Sequence, residues 1–169
     1  KNLSAGVFTV TAEVAPPRGT RVAAVIEQAE RLCDVTAVNV TDNQGANMRL
    51  SSLALASLLH RRGIETILQL TCRDRNRMAL QSDLLGAAAL GIENLLLLSG
   101  DHSRFGDHPD AKPVFDLDSV QLLEMAAGLM AGVNMAGQPL DGSPRFFPGA
   151  AVNPVAEPFE LIFQKVRKK

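Results

Sequence analysis

The sequence predicts an α/β fold with a parallel sheet: a (β/α)8 barrel cut short at about five βα units. Three observations predict it. Five short apolar runs alternate with stretches of helical spacing. Each run ends in polar residues at corresponding positions, namely Glu13, Thr41, Gln69 or Thr71, Asp101 and Asn153. The length of 169 residues stands well below the ~250 of a whole barrel. The alternative is a doubly wound five-stranded parallel sheet, which matches the length. A barrel converges the polar ends on one mouth, whereas an open sheet spreads them along an edge, and the matching ends favour the barrel. Five strands alone leave unpaired edges and a bare interior face. Residues 1–169 are therefore expected to form a single domain, the N-terminal part of a larger barrel, with the missing segment or oligomerisation covering that face.

The first strand is expected over residues 7–14, where β-branched and aromatic residues precede the stop at Ala15-Pro16-Pro17-Arg18-Gly19. Val22, Val25, Ile26, Ala29 and Leu32 keep helical spacing, with Thr20 as the expected N-cap. A second strand spans residues 37–41. Ser51 or Ser52 caps a second helix that turns Leu55, Leu58 and Leu59 inward and stops at Gly63. The third strand is residues 66–72, and the third helix, about residues 76–90, is expected to carry Met78, Leu84, Leu85 and Ala88 on its inner side. Leu95-Leu96-Leu97-Leu98-Ser99-Gly100-Asp101 reads as a strand buried on both faces that delivers a carboxylate at its end. After a polar loop, Asp118 or Ser119 caps a fourth helix with Val120, Leu123, Ala127 and Met130 inward. The fifth strand is expected over residues 146–153. Pro158 then opens a helix with the stripe Phe159, Ile162, Phe163 and Val166.

Composition narrows the function. Hydrophobic residues make up 46% of the chain and charged residues 21%, enough apolar material for one packed core. A net charge of -1 lacks the sustained basic face that nucleic-acid or membrane-surface partners require. No apolar run reaches membrane-span length and no signal pattern opens the chain. Two distant cysteines, Cys33 and Cys72, fit a reduced cytoplasmic setting. Neither the dinucleotide fingerprint nor the Walker sequence occurs.

Two carboxylates stand out. Glu13 ends a strand ahead of two prolines that stiffen the following turn, and a carboxyl group in a partly apolar mouth can act as a general acid. Asp101 follows Gly100, which permits close approach to a ligand. Either side chain is equally consistent with a solvated strand end or a turn cap. His102 and His108 share a loop with several aspartates but lack the spacing of a metal site, so no metal is expected. Cys72 reads as a small buried hydrophobe.

The chain resembles the methylenetetrahydrofolate reductase family, in the branch associated with one-carbon and corrinoid metabolism. The resemblance lies in Thr11-Ala12-Glu13-Val14-Ala15-Pro16-Pro17-Arg18-Gly19, Gln69-Leu70-Thr71-Cys72, Leu98-Ser99-Gly100-Asp101, Phe115-Asp116-Leu117-Asp118 and Ala151-Val152-Asn153-Pro154. It implies a TIM barrel with a flavin at its mouth, FAD or alternatively FMN. It implies hydride transfer to 5,10-methylenetetrahydrofolate, giving 5-methyltetrahydrofolate in the one-carbon supply that feeds methionine biosynthesis.

By this resemblance Glu13 is the acid that protonates the N5 side of the folate, and Asp101 is the carboxylate near pterin and flavin. Thr41, Gln69, Leu98, Ser99, Gly100, Asp101, Phe115, Asp116, Asn153, Glu157, Lys168 and Lys169 fall at flavin-contact positions. Gln69 stands where better-known members carry histidine, Ser99 where they carry arginine, Asn153 where they carry tyrosine and Glu157 where they carry histidine. Those departures concern the flavin's dinucleotide portion and the electron donor, which is NAD(P)H or another reductant. A homo-oligomer or a partner subunit is expected. The competing reading is a non-catalytic folate- or flavin-binding subunit of a one-carbon complex.

Overall fold

A computed structural model of the chain describes residues 2–155 and 157–168. Its strands are β1 (Thr11–Val14), β2 (Ala37–Val40), β3 (Thr66–Thr71), β4 (Asn94–Leu98) and β5 (Phe147–Ala150). Its helices are α1 (Ala23–Glu30), α2 (Ser52–His60), α3 (Arg77–Ala89), α4 (Ser119–Met130) and α5 (Phe159–Lys168). The strands form one sheet in the order β1-β2-β3-β4-β5, and every pairing is parallel. Right-handed crossovers that never reverse direction leave their helices on one face. A doubly wound sheet would reverse its order at a switch point. Sequential order without reversal is that of consecutive barrel strands.

The period-two pleat sorts the strand residues onto two faces. Val14, Val38, Val40, Leu68, Leu70, Leu95 and Leu97 point to the helices and join one core with Leu55 and Leu59 of α2, Leu80 and Leu84 of α3, and Leu122 and Leu129 of α4. Each such leucine contributes ~1.5–3 kcal/mol by leaving water. The alternate residues Glu13, Thr41, Gln69, Thr71 and Leu98 face the other side at the carboxyl end of the sheet, with Thr11, Asn39, Ile67, Asn94, Leu96 and Phe147 below them.

Several boundaries differ from expectation, each for a physical reason. β1 begins at Thr11 because β2, its partner, begins at Ala37; ahead of it Thr36 N–H still donates to the Val10 carbonyl, while Val7 and Phe8 stay exposed. Thr20 lies too far ahead of α1 to cap it, and the N-cap is Val22, with no side-chain bond. Ser51 caps α2 through Ala54 N–H, whereas buried Ser52 donates to the Gln69 carbonyl. The inner stripe of α3 runs through Leu80, Leu84 and Ala87, a phase that leaves Met78 73% exposed. In α4 the buried face is Val120, Leu122, Met125, Ala126 and Leu129, so Ala127 and Met130 turn outward. Asp118 caps that helix in a reciprocal box with Gln121. β5 ends at Ala150, before Asn153. The stripe on α5 is formed but carries no buried residue.

Candidate active site

Glu13 of β1 and the segments that follow β2, β3 and β4 line a pocket of about 290 Å3 at the carboxyl edge of the sheet. That is the lower edge of the ~300–1,000 Å3 usual for small-molecule sites. Glu13, Thr41, Asp42, Asn43, Gln44, Gln69, Thr71, Arg73, Leu98, Ser99, Gly100 and Asp101 line it. Seven of the residues expected from sequence meet here: Glu13, Thr41, Gln69, Leu98, Ser99, Gly100 and Asp101.

Glu13 is exposed, and its two oxygens are held by two amides. Gln69 Nε2 donates to Oε2 at 3.2 Å and Gln44 Nε2 to Oε1 at 3.3 Å. Thr41 is 99% buried beside them (1% exposed), and its Oγ1 has no hydrogen-bond partner among the described residues. Such a hydroxyl costs ~1–3 kcal/mol while unmatched, so a ligand that reaches it gains a ready donor and acceptor. Gly100 has φ of 87°, and a Cβ there would stand 3.0 Å from Thr71 Cβ. Only glycine lets the turn after β4 lie this close to β3. Ser99 Oγ accepts from Ser119 N–H at 3.3 Å, which ties the turn to the start of α4.

The floor of the pocket is ionic. Asp42 is buried, and its carboxylate accepts from Thr71 N–H at 2.9 Å, Thr71 Oγ1 at 2.8 Å and Arg75 Nη1 at 2.8 Å. Burial alone would lower the Arg75 pKa, but the charges of Asp42 and Asp83 raise it above its ordinary value. Arg73 is 2% exposed and forms a fork with Asp74 at 2.7 and 2.8 Å. That bond raises the Arg73 pKa; burial works against the Asp74 carboxylate, yet Arg73 and Asn43 hold it below the usual range. These four groups were not singled out from sequence.

The loops are also bound to each other. Gly106, beyond β4, packs on the backbone of Ala46, beyond β2, where a Cβ would lie 1.8 Å from the Ala46 oxygen. Asp107 accepts from Met48 N–H at 2.9 Å and bonds His108 at 2.8 Å, and these bonds hold its carboxyl below the usual range.

The other expected cofactor residues stand outside the pocket lining. Phe115, in left-handed backbone at φ 40°, lies against His102 with ring centroids 6.2 Å apart. Asp116 forms a fork with Arg77 at 2.8 and 2.9 Å and accepts Arg77 N–H as well, which holds its carboxyl at about 2. Asn153 accepts from Val155 N–H at 3.2 Å, Glu157 is exposed ahead of Pro158, and Lys168 ends α5. Lys169 lies outside the described residues. Burial pushes the Cys72 thiol up to about 11, with help from the Asp118 charge, so Cys72 is a protonated core residue. No group of three His, Cys, Asp or Glu suited to a metal ion occurs among the described residues, and no helix among them is long and apolar enough to cross a membrane.

A parallel α/β sheet whose buried ionic floor and polar side chains converge at the carboxyl ends of its strands is the architecture of an enzyme site. Comparison with known families gives the chemistry: residues 1–157 match methylenetetrahydrofolate reductase, and the chain belongs to that family. It is thereby an oxidoreductase of folate-linked one-carbon metabolism, in a family that is generally flavin-dependent. No curated protein matches the chain.

Proposed function

We propose that the protein reduces 5,10-methylenetetrahydrofolate to 5-methyltetrahydrofolate with a bound flavin, FAD or FMN, as hydride carrier. The observation that carries this reading is the meeting of Glu13 of β1, Gln69 of β3 and Asp101 of the turn after β4 in one pocket of a chain of this family. The donor set suits a flavin ring, whose edge alternates N–H and C=O. Thr41 offers a buried unmatched hydroxyl, Gln69 an amide with both a donor and an acceptor, and residues 98–100 their backbone. Phe115, Asp116, Asn153, Glu157, Lys168 and Lys169 are proposed as further contacts from the resemblance alone.

When bound, the flavin supplies a hydride to the folate's one-carbon unit. The protein's part is proton transfer and charge. The product carries its methyl group on N5, so the bond that breaks is the one between the methylene carbon and N10. Glu13 therefore gives its proton to N10, not to the N5 side, and the iminium is left at N5. The Asp101 carboxylate favours that cation electrostatically, more strongly where water is excluded. Gln69 and Gln44 hold the Glu13 carboxyl in place for the transfer. Residues 1–169 are read as one domain, the N-terminal part of a larger barrel in the cytoplasm. Either NAD(P)H or another donor reduces the flavin, and an oligomeric partner or the rest of the barrel covers the bare sheet face.

The test is the absorbance spectrum of the full-length protein as isolated, followed by turnover of Glu13→Gln. The expected result is a flavin spectrum in both proteins, with folate reduction lost in the variant. A colourless protein that binds no added flavin, or a Glu13→Gln variant with full turnover, would overturn the reading.

A further inference from the structure

We propose that Arg73 is a positioning residue of this site, holding the loops after β2 and β4 with one guanidinium and so fixing the Asp101 carboxylate relative to Glu13. The side chain is nearly solvent-free at the end of β3, between the two loops. Its Nη1 donates to the Asp101 carbonyl at 3.1 Å and its Nη2 to the Asn43 carbonyl at 3.3 Å. Nε and Nη2 are meanwhile anchored on Asp74, which also accepts from Asn43 Nδ2 at 3.2 Å. The plane of the guanidinium thus has one edge on an anion and its remaining corners on two loop carbonyls.

Both held carbonyls lie at backbone that has little freedom. Asn43 is in the left-handed region at φ 45°, and Asp101 follows Gly100 at φ 87°. Gly100 itself lies against Arg73, since a Cβ there would be 3.3 Å from Arg73 Cβ. A left-handed asparagine needs surrounding bonds to persist, and the Arg73–Asp74–Asn43 triangle provides them. Lysine cannot substitute. One ammonium on a flexible stem cannot make the planar fork and reach both carbonyls together.

This inference rests on the proposed reaction only in what Asp101 does; the clamp itself is independent of it. The experiment combines amide hydrogen exchange with turnover in Arg73→Lys, Asp101→Asn and the double variant of the full-length protein. Asp74→Asn serves as a second probe should Arg73→Lys fold poorly. Exchange is expected to quicken together in residues 42–47 and 100–106 of Arg73→Lys while β2 to β4 stay protected. Turnover is expected to fall on the order of 100-fold, as for a displaced reacting group, and to fall no further when the change is made on Asp101→Asn.

Unchanged exchange in both loops would overturn the proposal, whichever reaction the protein runs. Losses that simply multiply in the double variant would overturn it too, because they would show a structural role that does not pass through Asp101. If the wild type reduces no folate, the proposed reaction fails, and the exchange result alone decides whether Arg73 clamps the loops.

Discussion

The two ends of the exposed sheet face are built oppositely. The amino end is the larger space, about 660 Å3, open among Leu3, Thr11, Asn39, Ile67, Asn94, Leu96 and Phe147. The carboxyl end holds less than half that volume, yet it contains buried Asp42, Arg73, Thr41 and Thr71. Polar groups at the amino end bond only between neighbouring strands and their immediate flanks: Asn39 Nδ2 donates to Thr11 Oγ1 at 3.1 Å and to the Ala12 carbonyl at 3.3 Å, and Asn94 bonds Glu65. At the carboxyl end they join loops from different strands. Size therefore marks the uncovered face of a sheet, and the costly burial of charge marks the site.

The contrast can be broken by substitution. The largest effect is expected from Glu13→Gln, which should lower folate turnover by ~10²–10⁴-fold, the usual worth of a general acid. Asn39→Ala, at the other end of the same face, should leave turnover within about threefold and lose only ~1–2 kcal/mol of stability, the worth of its two ordinary hydrogen bonds. Steady-state kinetics and urea titration of the two variants check the pair; comparable turnover losses would erase the distinction.

Removing the ionic floor comes next. Asp42→Ala leaves Arg75 without its buried partner and Thr71 N–H without an acceptor, and is expected to cost ~3 kcal/mol in urea unfolding. Gly100→Ala forces a side chain into left-handed backbone against Thr71. A loss of ~1–2 kcal/mol is expected, together with weaker flavin binding in a fluorescence titration.

The smallest effect concerns pH. Arg77 holds the Asp116 carboxyl at about 2, whereas in the unfolded chain an aspartate titrates near ~3.9. The folded form thus binds its proton less readily. The stabilisation is fully present above about pH 4 and is lost as pH falls through about 2. Asp116→Asn should lower stability slightly but uniformly above about pH 4, where the pair is intact, and converge with the wild type towards about pH 2, as read from urea titrations followed by circular dichroism at several pH values.

Most of the framework could be read from residue order. The leucine run 95–98 and the β-branched runs before it specify buried strands, and Asn76 and Asp118 mark helix starts that the structure keeps. The phase of α3 was less legible: Met78 satisfies apolar spacing as well as Leu80 does, and only packing against the sheet separates them. The extent of β1 depended on where its neighbour begins, which residues 7–10 do not encode. Glu13 and Asp101 were visible as polar residues at the ends of apolar runs. Arg73, Arg75 and Asp42 were not, because a buried ion pair is a property of two loops brought together, and each residue alone reads as a surface charge.

The contact of Gly106 with Ala46 joins segments 60 residues apart, across β3 that lies between their strands. In the folded chain its geometry depends on β2, β3 and β4 lying side by side, because the two loops are carried by β2 and β4 and the strand between them sets their spacing. The enclosure of the site therefore rests on the whole of that three-strand framework. A fragment ending after β3 would carry Glu13 and Gln69 in nearly their final sequence context and still lack the enclosure that makes them a pocket. The site is what three adjacent strands make possible together, and no one of them carries it alone.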